Sequence, residues 1–484
     1  TNFTYDILNH LKTVIDPLNR LTTINYDNNE NTISVVDAEN HTTAYNYDER
    51  NLLFKILDAN TPQGTTQYDY DINGNLKKIT DANAHATDYA YDLFDRQLTM
   101  TYADTKFTEL EFDKNSNLKK VTQGKPTTPK VIEYDYDSLN RLTAKRFPAT
   151  ASLNTTYQYD LGSRLQLSIN AQQAVGYFYN NLNQLLAAGQ IYGNNQLAVL
   201  FYNHDKVGNR RSVTYPSGKL VEYTYDANDR LDVVKVGGAV IADYDWDILG
   251  RRKQVRKYLS ANVKTSTDYS FDPANQLTQV RNQNATGGNV SQFDYANYDK
   301  AGNRLSLQVT RTGAPLLTRY GYNAIYELTK VSGGQAHVFQ HDLVGNRTNV
   351  DTVVYQPNAV NQYTQVGTQA YTYSDSGNLT NDGVNTYTYD EENRLSAVSA
   401  QSSAYAYDGF NRRVSKTVNG VATYFISDGD REIEERDANG TLLADYVYGD
   451  NIDEVLTMTR AGATYYYHYD GLGSVTDLTN ASVQ

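Results

Sequence analysis

An all-β fold of tandem β-hairpins, joined in one antiparallel meander and wound into a superhelix, is what this sequence predicts. Three observations carry that reading. An aromatic–aspartate pair recurs at intervals of 21 to 24 residues: Tyr5-Asp6, Tyr26-Asp27, Tyr47-Asp48, Tyr70-Asp71, Tyr91-Asp92, Phe112-Asp113, Tyr136-Asp137 and Tyr159-Asp160. It continues with substitutions at Tyr179-Asn180, His204-Asp205, Tyr225-Asp226, Trp246-Asp247, Phe271-Asp272, Tyr298-Asp299, Tyr322-Asn323 and His341-Asp342. It then runs less regularly through Tyr373, Tyr389-Asp390 and Tyr407-Asp408, about nineteen units in all. Second, the bulky residues before each pair alternate. Third, the 39% hydrophobic content falls to roughly 30% without the 43 tyrosines, so tyrosine must do much of the packing. A leucine-rich repeat has a similar period but needs leucines at fixed offsets, where this chain has tyrosines.

The outbound strand is read from stretches such as Thr87-Asp88-Tyr89-Ala90-Tyr91, Tyr223-Thr224-Tyr225 and Tyr405-Ala406-Tyr407, which have the period-2 pattern of a half-buried strand. It breaks at Asp71-Ile72-Asn73-Gly74-Asn75 and at Asp342-Leu343-Val344-Gly345-Asn346, where Gly and Asn reach positive φ at low cost. A return strand follows. A second turn, as at Asp37-Ala38-Glu39-Asn40 or Asp81-Ala82-Asn83, leads into the next hairpin. Return strands carry apolar residues at i and i+3 (Leu21/Ile24, Leu76/Ile79, Leu118/Val121), whereas one buried face wants i and i+2. A bulge or a doubly covered sheet would explain this, and the sequence does not choose between them.

Some thirty-eight strands at ~4.8 Å spacing would make a flat sheet ~180 Å wide, while open sheets rarely exceed ~10 strands. The meander therefore has to roll up, as a solid solenoid or as a hollow wall. The recurring Asp is followed by Arg in Asp92/Arg96, Asp137/Arg141, Asp160/Arg164, Asp226/Arg230, Asp390/Arg394 and Asp408/Arg412. These pairs read as architecture: Asp holds the turn backbone and pairs with Arg, while stacked tyrosines form a ladder. A calcium ladder is disfavoured because an Arg competes for each carboxylate and the glycine-rich calcium repeat is missing.

The charge balance, 43 basic against 56 acidic residues with no basic run, argues against a nucleic-acid partner. No window approaches the ~18 apolar residues of a spanning helix, and no signal-peptide pattern opens the chain. Starting at Thr1, the chain reads as an excised or processed piece. Zero cysteines exclude disulfides and thiolate chemistry. The seven histidines are scattered, and His204 and His341 stand where other repeats have an aromatic, so no metal site is expected. Gly471-Leu472-Gly473-Ser474 lacks the helix and Lys of a phosphate loop and reads as a turn. No catalytic residue, metal or cofactor is predicted, and the piece is read as non-enzymatic.

The unit Tyr134-Asp135-Tyr136-Asp137-Ser138-Leu139-Asn140-Arg141-Leu142 closely resembles the YD repeat of the bacterial Rhs family, which includes wall-associated proteins, the C components of insecticidal toxin complexes and, distantly, teneurins. The resemblance covers residues 1–420 as the repeat array. Residues 421–484, with Tyr467, His468, Asp470, Gly473 and Ser474 in the stretch Tyr465 to Thr479, resemble the start of the Rhs-associated core, truncated at Gln484. What the resemblance implies is a hollow shell around a C-terminal toxin, secreted or on the bacterial surface, so that the function is containment. It also implies a self-cleavage site and a toxic domain beyond Gln484 and a plug ahead of Thr1, so no catalytic residue is carried over to this chain. The structural positions expected to matter are Tyr26, Asp27, Tyr47, Asp48, Tyr70, Asp71, Tyr91, Asp92, Arg96, Tyr136, Asp137, Arg141, Tyr159, Asp160 and Arg164.

The competing class is a surface adhesin or filament. Its tyrosine and asparagine rows would hold carbohydrate, or its terminal strands would self-associate through unpaired edges. The partners expected are thus toxin cargo, cell-surface carbohydrate or further copies of the chain.

Overall fold

A computed structural model of the chain describes residues 1–125, 127–260, 263–295 and 297–480. Among these, 47 β-strands and two single-turn 3-10 segments form, and no α-helix. Each strand pairs antiparallel with the one before it in sequence, so the chain is the expected meander. Thirty-five strands form one sheet, a two-stranded ribbon at Thr372–Asn381 follows, and a ten-stranded sheet runs from Tyr387 to Asn480, passing residue 420 without a break. The strand count exceeds thirty-eight because the core region folds as further hairpins. These pair through backbone groups and need no Tyr-Asp signature.

The aspartate turns explain themselves locally. In Asp71–Asn75, Gly74 N–H donates to the Asp71 carbonyl at 3.2 Å and Asp71 N–H to the Asn75 carbonyl at 2.9 Å, with Gly74 at φ 89. This is a type I turn closed by a left-handed residue. The register then slips by one: Tyr70 faces Leu76, but Asp69 faces Lys78. The same slip puts Phe112 opposite Leu118 and Glu111 opposite Lys120. A β-bulge therefore accounts for the i, i+3 spacing at Leu76/Ile79 and Leu118/Val121. Leu21 pairs without a slip and is 46% exposed, so it simply points away from Ile24's face.

Contacts distant in sequence show how the meander is wound. Arg20 Nη1 donates to Gln276 Oε1 at 3.0 Å and Asn83 Nδ2 to Asp342 Oδ2 at 2.9 Å, each pair twenty-three strands apart. Gly471 N–H donates to Tyr295 Oη at 2.7 Å, nineteen strands on. The chain thus makes about two coils of a spiral, narrower at its C-terminal end. At ~4.8 Å per strand, twenty-three strands give a circumference of ~110 Å and ~35 Å between opposite backbones, wider than side chains reaching ~5 Å from each wall can fill. The fold is a superhelical shell, open rather than barrel-closed.

The joint between coils changes along the chain. Over the first 150 residues the strands are short, and the turns linking one hairpin to the next in the first coil abut the aspartate turns of the second. From Leu185 onward strands lengthen to as many as nine residues and the hairpins overlap. There Leu200, Val213, Val221, Val234 and Val255 pack with Ile426, Ile433, Val447 and Leu456 in the main hydrophobic core.

Candidate functional site: the repeat turn and the seam

The recurring aspartate is the hub of each turn. Asp137 Oδ1 accepts from the backbone N–H of Leu139 (2.9 Å) and Arg141 (3.0 Å), while Oδ2 takes Arg141 Nε at 2.7 Å. Asp92 with Arg96 and Asp160 with Arg164 repeat the arrangement, at 2.7 and 2.6 Å to Nε. In Asp27 and Asp71 an asparagine four residues on replaces the guanidinium, and in Asp48 it is Arg50, two residues on, that pairs. The Arg141 side-chain bond, with the two backbone donors, holds the Asp137 carboxyl below its ordinary value; for Asp27 the leading cause is Asn31.

The paired aromatic reaches back to the previous repeat. Tyr26 Oη donates to the Leu11 carbonyl at 3.0 Å, Tyr70 to Leu53 at 2.7 Å, Tyr91 to Leu76, Tyr136 to Leu118 and Tyr159 to Leu142, each of the last three at 2.9 Å. Tyr47 occupies the same strand position, opposite Leu53, and its phenol is raised by burial. The arginine reaches forward. Arg96 lies 4.7 Å from the Phe112 ring centre, Arg141 4.8 Å from Tyr159 and Arg164 5.0 Å from Tyr179, while Arg141 Nη1 donates to Ser163 Oγ at 3.1 Å. Here the expected tyrosine ladder needs correcting: equivalent rings stand two strand spacings apart, ~9.6 Å, too far to stack, and guanidinium groups fill the interval.

The core-motif residues form one more turn of this type. Asp470 accepts from Leu472 N–H (2.8 Å) and Ser474 N–H (3.0 Å), Gly473 sits at φ 81, and Tyr469 Oη donates to the Val455 carbonyl. Tyr467 Oη lies 3.6 Å from Met458 Sδ. His468 is fully buried, 3.0 Å from Thr479 Oγ1, and burial pushes its pKa down to about 3. Lys257, also buried and pushed down to about 8 by desolvation, crosses the seam to the Tyr467 carbonyl.

The seam itself had no sequence signal. Lys145 Nζ meets Glu392 Oε1 at 2.5 Å, Tyr157 Oη donates to the Gly409 carbonyl at 2.9 Å, and Arg252 clasps Glu454 at 2.7 and 3.1 Å. Arg210 and Lys219 pair with Asp428 and Asp445. These partners are roughly 200 to 250 residues apart, so no local pattern could join them. Among the described residues no group of three or more His, Asp or Glu side chains is placed to hold a metal ion, and no helix is long and apolar enough to cross a membrane. The arrangement is a wall held by hydrogen bonds and ion pairs between hairpins and between coils.

The model of the teneurin YD-shell family matches residues 3–192 and 297–483, and that of the RHS repeat matches residues 204–240. Over 315 residues the chain is 27% identical to the tRNA3(Ser)-specific nuclease WapA of Bacillus spizizenii, covering 63% of this chain and 11% of that protein. The tRNA nuclease WapA of Bacillus subtilis is 26% identical over 314 residues, with the same coverage. The chain thus spans about a tenth of the length of these relatives. Among solved structures, the Tc holotoxin pore of Photorhabdus luminescens superposes over all of this chain and 29% of its own, with a TM-score of 0.79 at 14% identity. A crystal structure of TcdB2-TccC3 without its hypervariable C-terminal region gives 0.76 at 14% identity, over 30% of that chain. At such identity these two likenesses speak to the fold.

Proposed function

From a chain that belongs to the teneurin YD-shell family, we propose a containment role: a non-enzymatic stretch of shell wall that encloses a C-terminal toxin or effector of its parent protein until delivery. The observation that carries this reading is the spiral of about twenty-three strands per coil, whose span exceeds what side chains fill. The relatives named as tRNA nucleases support a toxic cargo; this chain matches about a tenth of each, and on our reading the chemistry lies elsewhere in such proteins. The hypervariable C-terminal region named for the TcdB2-TccC3 structure fits an exchangeable cargo behind a common wall. We take residues 421–484 as the opening of the core segment that follows the repeats, and place the parent protein outside the bacterial cell or on its surface.

Small-angle X-ray scattering tests the cavity. A compact solid domain of this length has a radius of gyration of roughly 23 Å. A clearly larger value at constant monomer mass, with the secondary maximum of a hollow particle, is expected; a compact, featureless profile overturns the reading. A passenger polypeptide fused after Gln484 then tests containment: it should resist a protease that cuts the same passenger when free.

A further inference from the structure

The two coils expose equivalent turns very differently. In the second coil the apolar tips of the aspartate turns, Ile325, Val344, Val360 and Phe410, are half-buried. They sit against the first coil; the Phe410 ring, for example, lies 6.2 Å from both Tyr157 and Tyr177. In the first coil the same turn positions form a free rim. Ile72, Leu93, Phe94, Leu161, Ile248 and Leu249 stand there, 69% to 109% exposed. Large apolar side chains repeated along one rim are unusual for a surface facing only water. What covers their counterparts is known from within the molecule: a row of hairpin-linking turns. This chain carries a second such row on the opposite rim, where Val384 and Val421 are 77% and 71% exposed.

We propose that the aspartate-turn rim of the first coil is a docking surface for a second copy of this chain, which seats its own second-coil linking turns on it. The contact continues the joint that already holds the two coils together. It is heterologous, upper rim to lower rim, so it propagates coaxially without closing. The linking turns Asp382–Asn385 and Asn419–Val421 are small and nearly uncharged, so they bring no like-charge conflict to a rim whose charged side chains are largely paired within their own turns. The inference rests on the fold alone and stands whether or not the shell holds cargo.

Sedimentation over a wide concentration range, with three proteins, tests it. The wild type should gain mass continuously with concentration. An upper-rim variant (Ile72→Asn, Leu93→Asn, Phe94→Asn, Leu161→Asn, Leu249→Asn) should stay monomeric with unchanged circular dichroism, since neighbouring repeats carry Asn at such positions, as in Asn28-Asn29. A lower-rim variant (Val384→Lys, Val421→Lys) should also be monomeric, yet mixing the two variants should give a dimer and nothing larger. A monomeric wild type overturns the proposal. So does undiminished association of the upper-rim variant, which would point to pairing of the terminal strand edges instead.

Discussion

Tyr159 donates its phenolic hydrogen to the carbonyl of Leu142, 2.9 Å away in the preceding repeat, while Arg141 of that same repeat lies over the Tyr159 ring. Each repeat is thus gripped from both sides, forward by an arginine and backward by a tyrosine. Tyr159→Phe removes one bond and keeps the ring, and should cost about 1 kcal/mol in urea-induced unfolding. A loss below a few tenths would mean that the hydroxyl is idle.

The Lys145–Glu392 pair joins the two coils, with side chains only 8% and 12% exposed. Lys145→Ala leaves a buried carboxylate short of its partner and should destabilise by roughly 3–5 kcal/mol, whereas Lys145→Met with Glu392→Met should recover most of that. Chemical denaturation of the two variants decides; equal losses would refute a buried, coupled pair.

Gly409 is needed for close approach. A Cβ there would run into the Thr155 side chain and lie 2.9 Å from Ser168 Oγ across the seam. Gly409→Ala should cost about 1–3 kcal/mol. Gly162→Ala, in a turn on the free rim, should stay within roughly 0.5 kcal/mol. Thermal melts of both variants would separate a tight joint from a loose one.

Ala84 holds a left-handed position, φ 65, that other turns fill with Gly or Asn. Ala84→Gly relieves the steric cost of that conformation and should stabilise by roughly 1 kcal/mol, less glycine's greater entropy loss on folding. A rise in the urea midpoint checks it.

His468 carries the pH dependence. Burial lowers its folded pKa to about 3 from 6.5, so unfolding takes up a proton between those values. Its contribution is complete above about pH 6.5 and is lost as pH falls towards 3. The turn carboxylates such as Asp137, lowered by Arg141 and backbone donors, act in a more acidic window, below their ordinary 3.8. His468→Gln should therefore flatten the slope of stability against pH from 6.5 to 4 and leave the steeper acid limb in place. An unchanged slope would show that His468 titrates normally.

Much of one repeat was legible because its bonds are local. Asp137 reaches Leu139 and Arg141 within four residues, and the left-handed position falls on Asn140 just as turn chemistry requires. The bulge at Leu76 was visible as an anomaly, since a slipped register leaves its mark on apolar spacing. The tyrosine's role was read less well: alternation shows that a ring is half-buried, but not that its hydroxyl seeks a carbonyl one repeat back.

By itself, the sequence determined the hairpin, its turn, the antiparallel order of the strands and the need for so long a meander to curl. All of these follow from hydrogen bonds and steric limits spanning a few residues, repeated until they dominate the chain. Tertiary structure alone decided that twenty-three strands make a coil, that Lys145 meets Glu392, and that Phe410 is covered while Phe94 is not. Small twists between neighbouring strands accumulate over a whole coil before one rim meets another. The partners across the seam are set by that sum, which no stretch of a few residues encodes.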